Sequence, residues 1–169
     1  MEMPVTATLG TLLRHLIEVL DGAVEESYIR SGLDYRPRYT PIVRALIELG
    51  PASMRAISVY AGITHSAVSQ TVSQMVKKEL VFLKPGEDMR EKIVSLTPRA
   101  ESMIPALKHH WAATEMAARA LEKELPMPLS SLVRETLTAL DRKSFPERIG
   151  KASEALENKN KKRGINVIT

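Results

Sequence analysis

Two helix starts stand eleven residues apart in the middle of this chain, with a glycine between them. Ser53 precedes the run Met54–Ala61, Gly62 breaks it, and Thr64 precedes a stretch with helical spacing to about Glu79. A serine or threonine hydroxyl satisfies the open N–H groups of a helix's first turn, so each marks a start. Glycine supplies the backbone freedom that a tight turn needs. Two short helices joined this closely predict a helix-turn-helix. The period then changes. Leu80-Val81-Phe82-Leu83 is a short apolar run, Pro85-Gly86-Glu87-Asp88 is turn chemistry, and Lys92–Leu96 resumes a strand pattern. That is a β-hairpin. A hairpin directly behind a helix-turn-helix makes a winged helix, which docks one helix in a DNA major groove.

Helices flank this unit. Leu9, Leu12, Leu13, Leu16, Ile17, Leu20 and Val24 form one apolar stripe at three- and four-residue steps, and Ser31-Gly32 stops the helix. Leu33–Tyr39 reads as a connector. Thr40-Pro41 predicts a capped start for the next helix, with Ile42, Val43, Leu46, Ile47 and Leu49 on its apolar face before Gly50-Pro51. Met54, Ile57 and Val59 are the expected core contacts of the short helix after Ser53. Behind the hairpin, Thr97-Pro98 repeats the start signal. Ile104, Leu107, Trp111, Thr114, Ala118, Leu121 and Leu125 then give a heptad-like seam. Pro105 inside it predicts a kink or a frayed first turn. Leu129–Leu140 is a further helix, and a last one is expected around Phe145–Leu156.

The fold class is thus mainly α with a small β-hairpin wing: a winged helix-turn-helix at 40–97, flanked by long helices at 5–32 and 98–157, with a basic mobile tail at 158–169. The two flanking apolar surfaces exceed what a compact winged helix needs, which points to packing between two subunits. A twofold dimer would set equivalent helices ~34 Å apart, one turn of DNA.

Composition narrows the class. The 169 residues are 44% hydrophobic and 26% charged, which suits a folded soluble chain. There is no cysteine, so disulfides, thiolate metal sites and cysteine nucleophiles are excluded. No apolar run is long enough to span a bilayer and no secretory signal is evident, so the expected location is cytoplasmic, without a membrane partner. The net charge is +4. Within residues 51–96 six basic side chains face four acids, leaving +2, and residues 151–169 carry five against two, leaving +3. A surplus this small permits an anionic partner without naming one.

The helix after Thr64 carries the more specific signal. Ile63, Val68, Val72, Met75, Val76 and Leu80 can face a core, which leaves Ser66, Ser69, Gln70, Ser73, Gln74 and Lys77 on the other side, with no acid before Glu79. A helix face selected for solubility alone would mix in Glu and Asp. Short hydroxyls and amides approach phosphates and base edges without repulsion, and glutamine can pair in bidentate fashion with adenine. At the hairpin tip, Arg90 suits the negative potential of a minor groove and Asp88 can hold its guanidinium. A solvated surface pair is the alternative for these two residues.

The run Asp88-Met89-Arg90-Glu91-Lys92-Ile93-Val94-Ser95-Leu96-Thr97 closely resembles the wing signature of the MarR (multiple antibiotic resistance regulator) family. Ile63–Val72 resembles the opening of that family's recognition helix, and Leu46–Pro51 the approach to it. The likeness covers about residues 40–100. It implies a homodimeric transcription regulator of the repressor type, with interlocked terminal helices and two winged helices on a palindromic operator, often responsive to a small phenolic or lipophilic effector. By position it implies that Ser66, Ser69, Gln70 and Gln74 face the major groove, that Asp88 and Arg90 make the wing contact, and that Thr64 caps the helix beside a phosphate. Met89 and Gln70 stand where many relatives carry basic residues, and Ala100 replaces a common glycine.

Other features are weaker. His15, beside the first apolar stripe, and Trp111, in the seam, are candidate effector contacts; a surface histidine and a core tryptophan are the plainer readings. The four histidines make no metal set, and neither a phosphate loop nor a serine-nucleophile motif is present. No cofactor and no enzyme activity are expected. A protein-interaction module built on a winged-helix scaffold stays open as the alternative, given the modest charge and the long apolar helices.

Overall fold

The computed structural model describes residues 6–86 and 91–162. The chain divides into two compact units, one to Thr114 and one from Glu115. Helix α5 starts in the first unit and ends in the second.

In the first unit, α1 (Leu9–Arg30) begins at Thr8, whose hydroxyl oxygen accepts the Thr11 N–H at 3.3 Å. It stops at Ser31, before Gly32 with φ of 71°. The connector holds a 3-10 turn, Pro37–Tyr39, that runs directly into α2 (Thr40–Leu49). The expected Thr40 cap is therefore not formed. Tyr39 precedes the helix in helical geometry, the Thr40 N–H is taken by Pro37 O, and Pro41 has no N–H to satisfy. The Thr40 hydroxyl instead accepts from Tyr35 Oη at 3.4 Å.

Helix α3 (Met54–Ala61) and α4 (His65–Lys77) form the helix-turn-helix. The hairpin strands β2 (Val81–Pro85) and β3 (Lys92–Leu96) pair antiparallel, from Val81 opposite Leu96 to Pro85 opposite Lys92. A third strand, β1 (Ala52–Ser53), pairs with the other edge of β3 and gives the order β1-β3-β2. Ser53 thus ends a strand and caps α3. Helix α5 (Pro98–Lys123) runs through Pro105 unbroken. The frayed start does not occur, because Thr97 Oγ1 accepts the Ala100 N–H at 3.2 Å and Thr97 O the Glu101 N–H at 2.9 Å.

The core of this unit gathers Ile42, Val43 and Leu46 of α2, Ile57 of α3, Val68, Val72 and Met75 of α4, Val94 of β3, and Leu107 and Trp111 of α5. Two residues of the α5 seam, Leu107 and Trp111, are thereby spent within the chain's own core. Three apolar residues expected inward point outward instead: Leu49, Val59 and Val76 are exposed. Most of the α1 stripe is also exposed, including Leu9, Leu12, Leu13, Ile17 and Leu20.

The second unit holds the end of α5, α6 (Leu129–Arg142) and α7 (Phe145–Lys162). Glu122 Oε1 accepts the Ser130 N–H at 2.7 Å, which ties the α6 start to the α5 end. Arg148 donates to Lys143 O and Ala139 O and so satisfies carbonyls at the α6 C-terminus. Ser144 and Glu147 form a capping box, with Ser144 N–H to Glu147 Oε2 at 2.7 Å and Glu147 N–H to Ser144 Oγ at 3.4 Å. Helix α7 extends past Leu156 to Lys162, into the stretch 158–169 that reads from sequence as a tail. Leu132, Leu137, Phe145, Ile149 and Leu156 are exposed apolar residues of this unit. Among the described residues, no helix is long and apolar enough to cross a membrane.

Candidate nucleic-acid interface

The geometry of α4 begins with its caps. Ser53 Oγ accepts the Ala56 N–H and Thr64 Oγ1 the Ala67 N–H, both at 3.2 Å. Between the helices Gly62 takes φ of 65°, a left-handed backbone that a side chain would strain. Ser58 closes the turn, donating from Oγ to Ile63 O at 2.6 Å and accepting the Ile63 N–H at its own carbonyl. At the far end Glu79 is also left-handed, with φ of 54°, and Thr97 Oγ1 donates to its carbonyl at 2.7 Å. Both ends of α4 are thus fixed by side chains.

Val68, Val72 and Met75 are fully buried and orient the helix. Opposite them Ser66, Gln70, Ser73 and Lys77 form one exposed stripe, since their spacing of four, three and four residues returns them to one face. Ser69 and Gln74 flank the stripe and are half-buried. The Ser73 hydroxyl donates to Ser69 O at 2.8 Å, and Gln74 Oε1 accepts from Arg38 at 3.4 Å. Thr64 is exposed. The stripe contains no acid. A surface of hydroxyls, an amide and one ammonium can accept or donate at base edges and phosphates without charge repulsion.

The hairpin carries Lys84 and Lys92 on opposite strands, and Gly86 N–H bonds Glu91 O at 2.8 Å where the strands end. Asp88 and Arg90 lie outside the described residues.

The structure adds residues that sequence reading missed. Arg38 and Asp34 of the connector touch α4 at Gln74 and Lys78; the Lys78 ammonium sits 3.0 and 2.9 Å from the two Asp34 oxygens. Arg99 of α5 donates to Lys78 O at 3.0 Å. These partners are 21 to 44 residues apart in sequence, so no local pattern could reveal them.

Of the effector candidates, His15 lies half-buried on α1. Trp111 is buried in the core, with the Arg44 guanidinium 4.8 Å from its ring centre. Its indole N–H has no hydrogen-bond partner among the described residues. His110, which sequence reading set aside, shares a 3.0 Å hydrogen bond between Nδ1 and Ser27 Oγ and lies edge-on to Tyr28. Tyr28, Tyr35 and Tyr39 continue as successive edge-to-face pairs. Among the described residues no cluster of three potential ligands could hold a metal ion.

The MarR family model matches residues 31–91. No curated protein matches the chain. Among solved structures, a probable transcriptional regulator from Pseudomonas aeruginosa is 23% identical, covering 81% of this chain and 99% of its own, with a TM-score of 0.54. The Mycobacterium tuberculosis regulator MOSR, solved in complex with DNA, is 17% identical over 89% and 98%, with a TM-score of 0.58. The PcaV regulator of Streptomyces coelicolor, solved with its natural ligand, is 14% identical over 85% and 99%, with a TM-score of 0.59. Residues 31–91 thus match the MarR family model, and the chain shares the winged helix-turn-helix fold of these solved structures.

Proposed function

We propose that this chain is a homodimeric, sequence-specific DNA-binding regulator of the repressor type that places α4 in the major groove of a palindromic operator. The observation that carries the reading is the acid-free stripe Ser66, Gln70, Ser73 and Lys77 on a helix capped at both ends. The flanking residues Ser69 and Gln74 and the helix cap Thr64 complete the contact surface, and Asp88 and Arg90 act from the wing. The exposed apolar residues of α1 (Leu9, Leu12, Leu13, Ile17, Leu20) and of α6 and α7 (Leu132, Leu137, Phe145, Ile149, Leu156) support dimerisation, since none is buried among the described residues. Residues 40–97 are the DNA-binding domain in this reading, 5–32 and 98–157 the dimerisation helices, and the cytoplasm the working compartment. A small phenolic or lipophilic effector modulates binding.

Selection from random duplex DNA with purified protein tests the reading. An enriched palindrome whose binding weakens as salt rises is expected, because phosphate contacts release counterions. Arg90→Ala should weaken binding by about 1–3 kcal/mol if it makes a specific contact. Failure to enrich any sequence sinks the reading.

The alternative, a protein-interaction module without sequence-specific DNA binding, is favoured by one feature. An open groove of about 470 Å³ runs beside α3, lined by Leu49, Val59, Tyr60 and Arg55. If selection returns no palindrome, this surface is the place to look for a partner.

A further inference from the structure

The connector between α1 and α2 is seated on one side and grips α4 on the other. Its inner residues Tyr35 and Tyr39 are each 2% exposed and pack edge to face. Its outer residues Asp34 and Arg38 are four positions apart, as are their partners Gln74 and Lys78 on α4. The spacing on α4 is one helical turn, so both contacts fall along one edge of the helix. The Asp34 end is a two-oxygen contact to Lys78, braced by Arg99. The Arg38 end is different in kind, because its partner belongs to the surface that would face DNA.

An arginine guanidinium donates and never accepts, so the Gln74 amide must turn its oxygen toward Arg38. The two N–H donors of Gln74 are claimed by no side chain or backbone carbonyl among the described residues. Free glutamine pairs with adenine by using both ends of its amide at once, accepting from N6 and donating to N7. Arg38 takes one of the two lone pairs of Gln74 Oε1 and fixes the direction of that oxygen, which leaves the two N–H donors as the end of the amide free for a base edge. Guanine offers two adjacent acceptors in the major groove, N7 and O6, and no donor.

We propose that Arg38 is a specificity-determining positioning residue: by holding Gln74 Oε1 it makes Gln74 a donor toward the major groove, matched to guanine rather than adenine. Arg38 need not touch a base to do this. The inference rests on the DNA-binding reading above and concerns which base one residue selects, not whether DNA is bound.

Parallel DNA selections with the wild type and with Arg38→Ala, Arg38→Lys and Gln74→Ala test it. The wild type should prefer guanine at one symmetric pair of operator positions, by about tenfold, the discrimination of one well-made base contact. Gln74→Ala should flatten that same pair. Arg38→Ala should move its preference toward adenine and leave the other positions unchanged. Arg38→Lys, which still donates, should retain guanine. Three results overturn the proposal: an Arg38→Ala loss that is even across all sequences, which marks a phosphate contact; effects of Arg38→Ala and Gln74→Ala on different positions; or wild-type preference for adenine at the Gln74-dependent pair. If the wild type enriches nothing, the DNA reading itself fails and takes this one with it. Both residues lie outside the fully buried core, and a thermal melt of each variant separates misfolding from altered readout.

Discussion

Ile17 offers a direct test of the proposed dimer. It lies mid-stripe on α1 and is 57% exposed in the single chain. Complete burial of an isoleucine side chain is worth about 1.5–3 kcal/mol, so covering the uncovered share contributes roughly 1–1.5 kcal/mol. Alanine keeps a fraction of that, which puts the loss in Ile17→Ala at about 1 kcal/mol per copy. A twofold interface buries the residue twice, so the dimer should lose about 2 kcal/mol, close to thirtyfold in dissociation constant. Sedimentation equilibrium over a concentration series reads this constant. Ile17→Asp should go further, because it asks the interface to bury an unpaired carboxylate. An exposed site contributes little to the fold of a single chain, so helix content should survive in both variants. A dissociation constant unchanged within twofold for both substitutions refutes the reasoning, since it would mean that the α1 stripe is not what the second copy covers.

Three further outcomes follow from local geometry. Thr64→Ala removes the acceptor for the Ala67 N–H and should destabilise the protein by about 1 kcal/mol in urea denaturation, while Thr64→Ser should retain most of that. Burial pushes the Tyr35 hydroxyl well above the ordinary tyrosine value of 10.0, with the Thr40 hydrogen bond opposing it in part. The folded chain therefore holds a proton that the unfolded chain sheds, so the contribution of Tyr35 to stability is constant below about pH 10 and falls above it. Tyr35→Phe should flatten that alkaline decline in denaturation curves taken from pH 8 to 11. In the other unit the Ser144 hydroxyl, and then its N–H, hold the Glu147 carboxyl below its ordinary 4.5. Its capping contribution is complete above that value and is lost as pH falls through the lowered one. Circular dichroism on acidification should show helix loss from α7 that Glu147→Gln, still an acceptor but not titrating, removes.

What sequence reading recovers here is what is local. The caps at Ser53, Thr64 and Thr97 form as expected because a cap bonds a backbone N–H only three residues on. Thr40 has the same signature and fails, since the chain enters α2 already turning. β1 is two residues long and exists only because β3 offers an edge, so no period could show it. Val59 and Val76 are apolar at helical spacing yet face outward, because spacing gives a stripe and not its width. The α5 seam reads as continuous, but Leu107 and Trp111 close the core of the first unit while Leu121 and Leu125 stay exposed in the second. On α4 the sequence separates the buried side from the polar side, apart from Val76. It cannot tell that Gln74 is already held by a residue 36 positions earlier.

The same limit applies to charge. Lys77 and Lys78 are neighbours in sequence, and a count of bases treats them alike. In the fold Lys78 is turned to Asp34 and its charge is met there. Lys77 points along the polar stripe, with no ion-pair partner among the described residues. Arg99 faces Asp34 and Glu79, and Arg36 faces Glu25. Three bases flanking the helix-turn-helix are thus matched to acids before any DNA approaches. Arg38, Arg55, Lys77, Lys84 and Lys92 have no ion-pair partner among the described residues and stay available to an anionic partner, but such charges attract without reading sequence. In the proposed DNA contact, discrimination would come from where the hydroxyls and amides of α4 are aimed, and that aim is set by caps, core contacts and the connector. Under the proposed function, a contact such as Arg38 to Gln74, whose effect no charge count shows, would bear on which sequence is read more than the net +4 does.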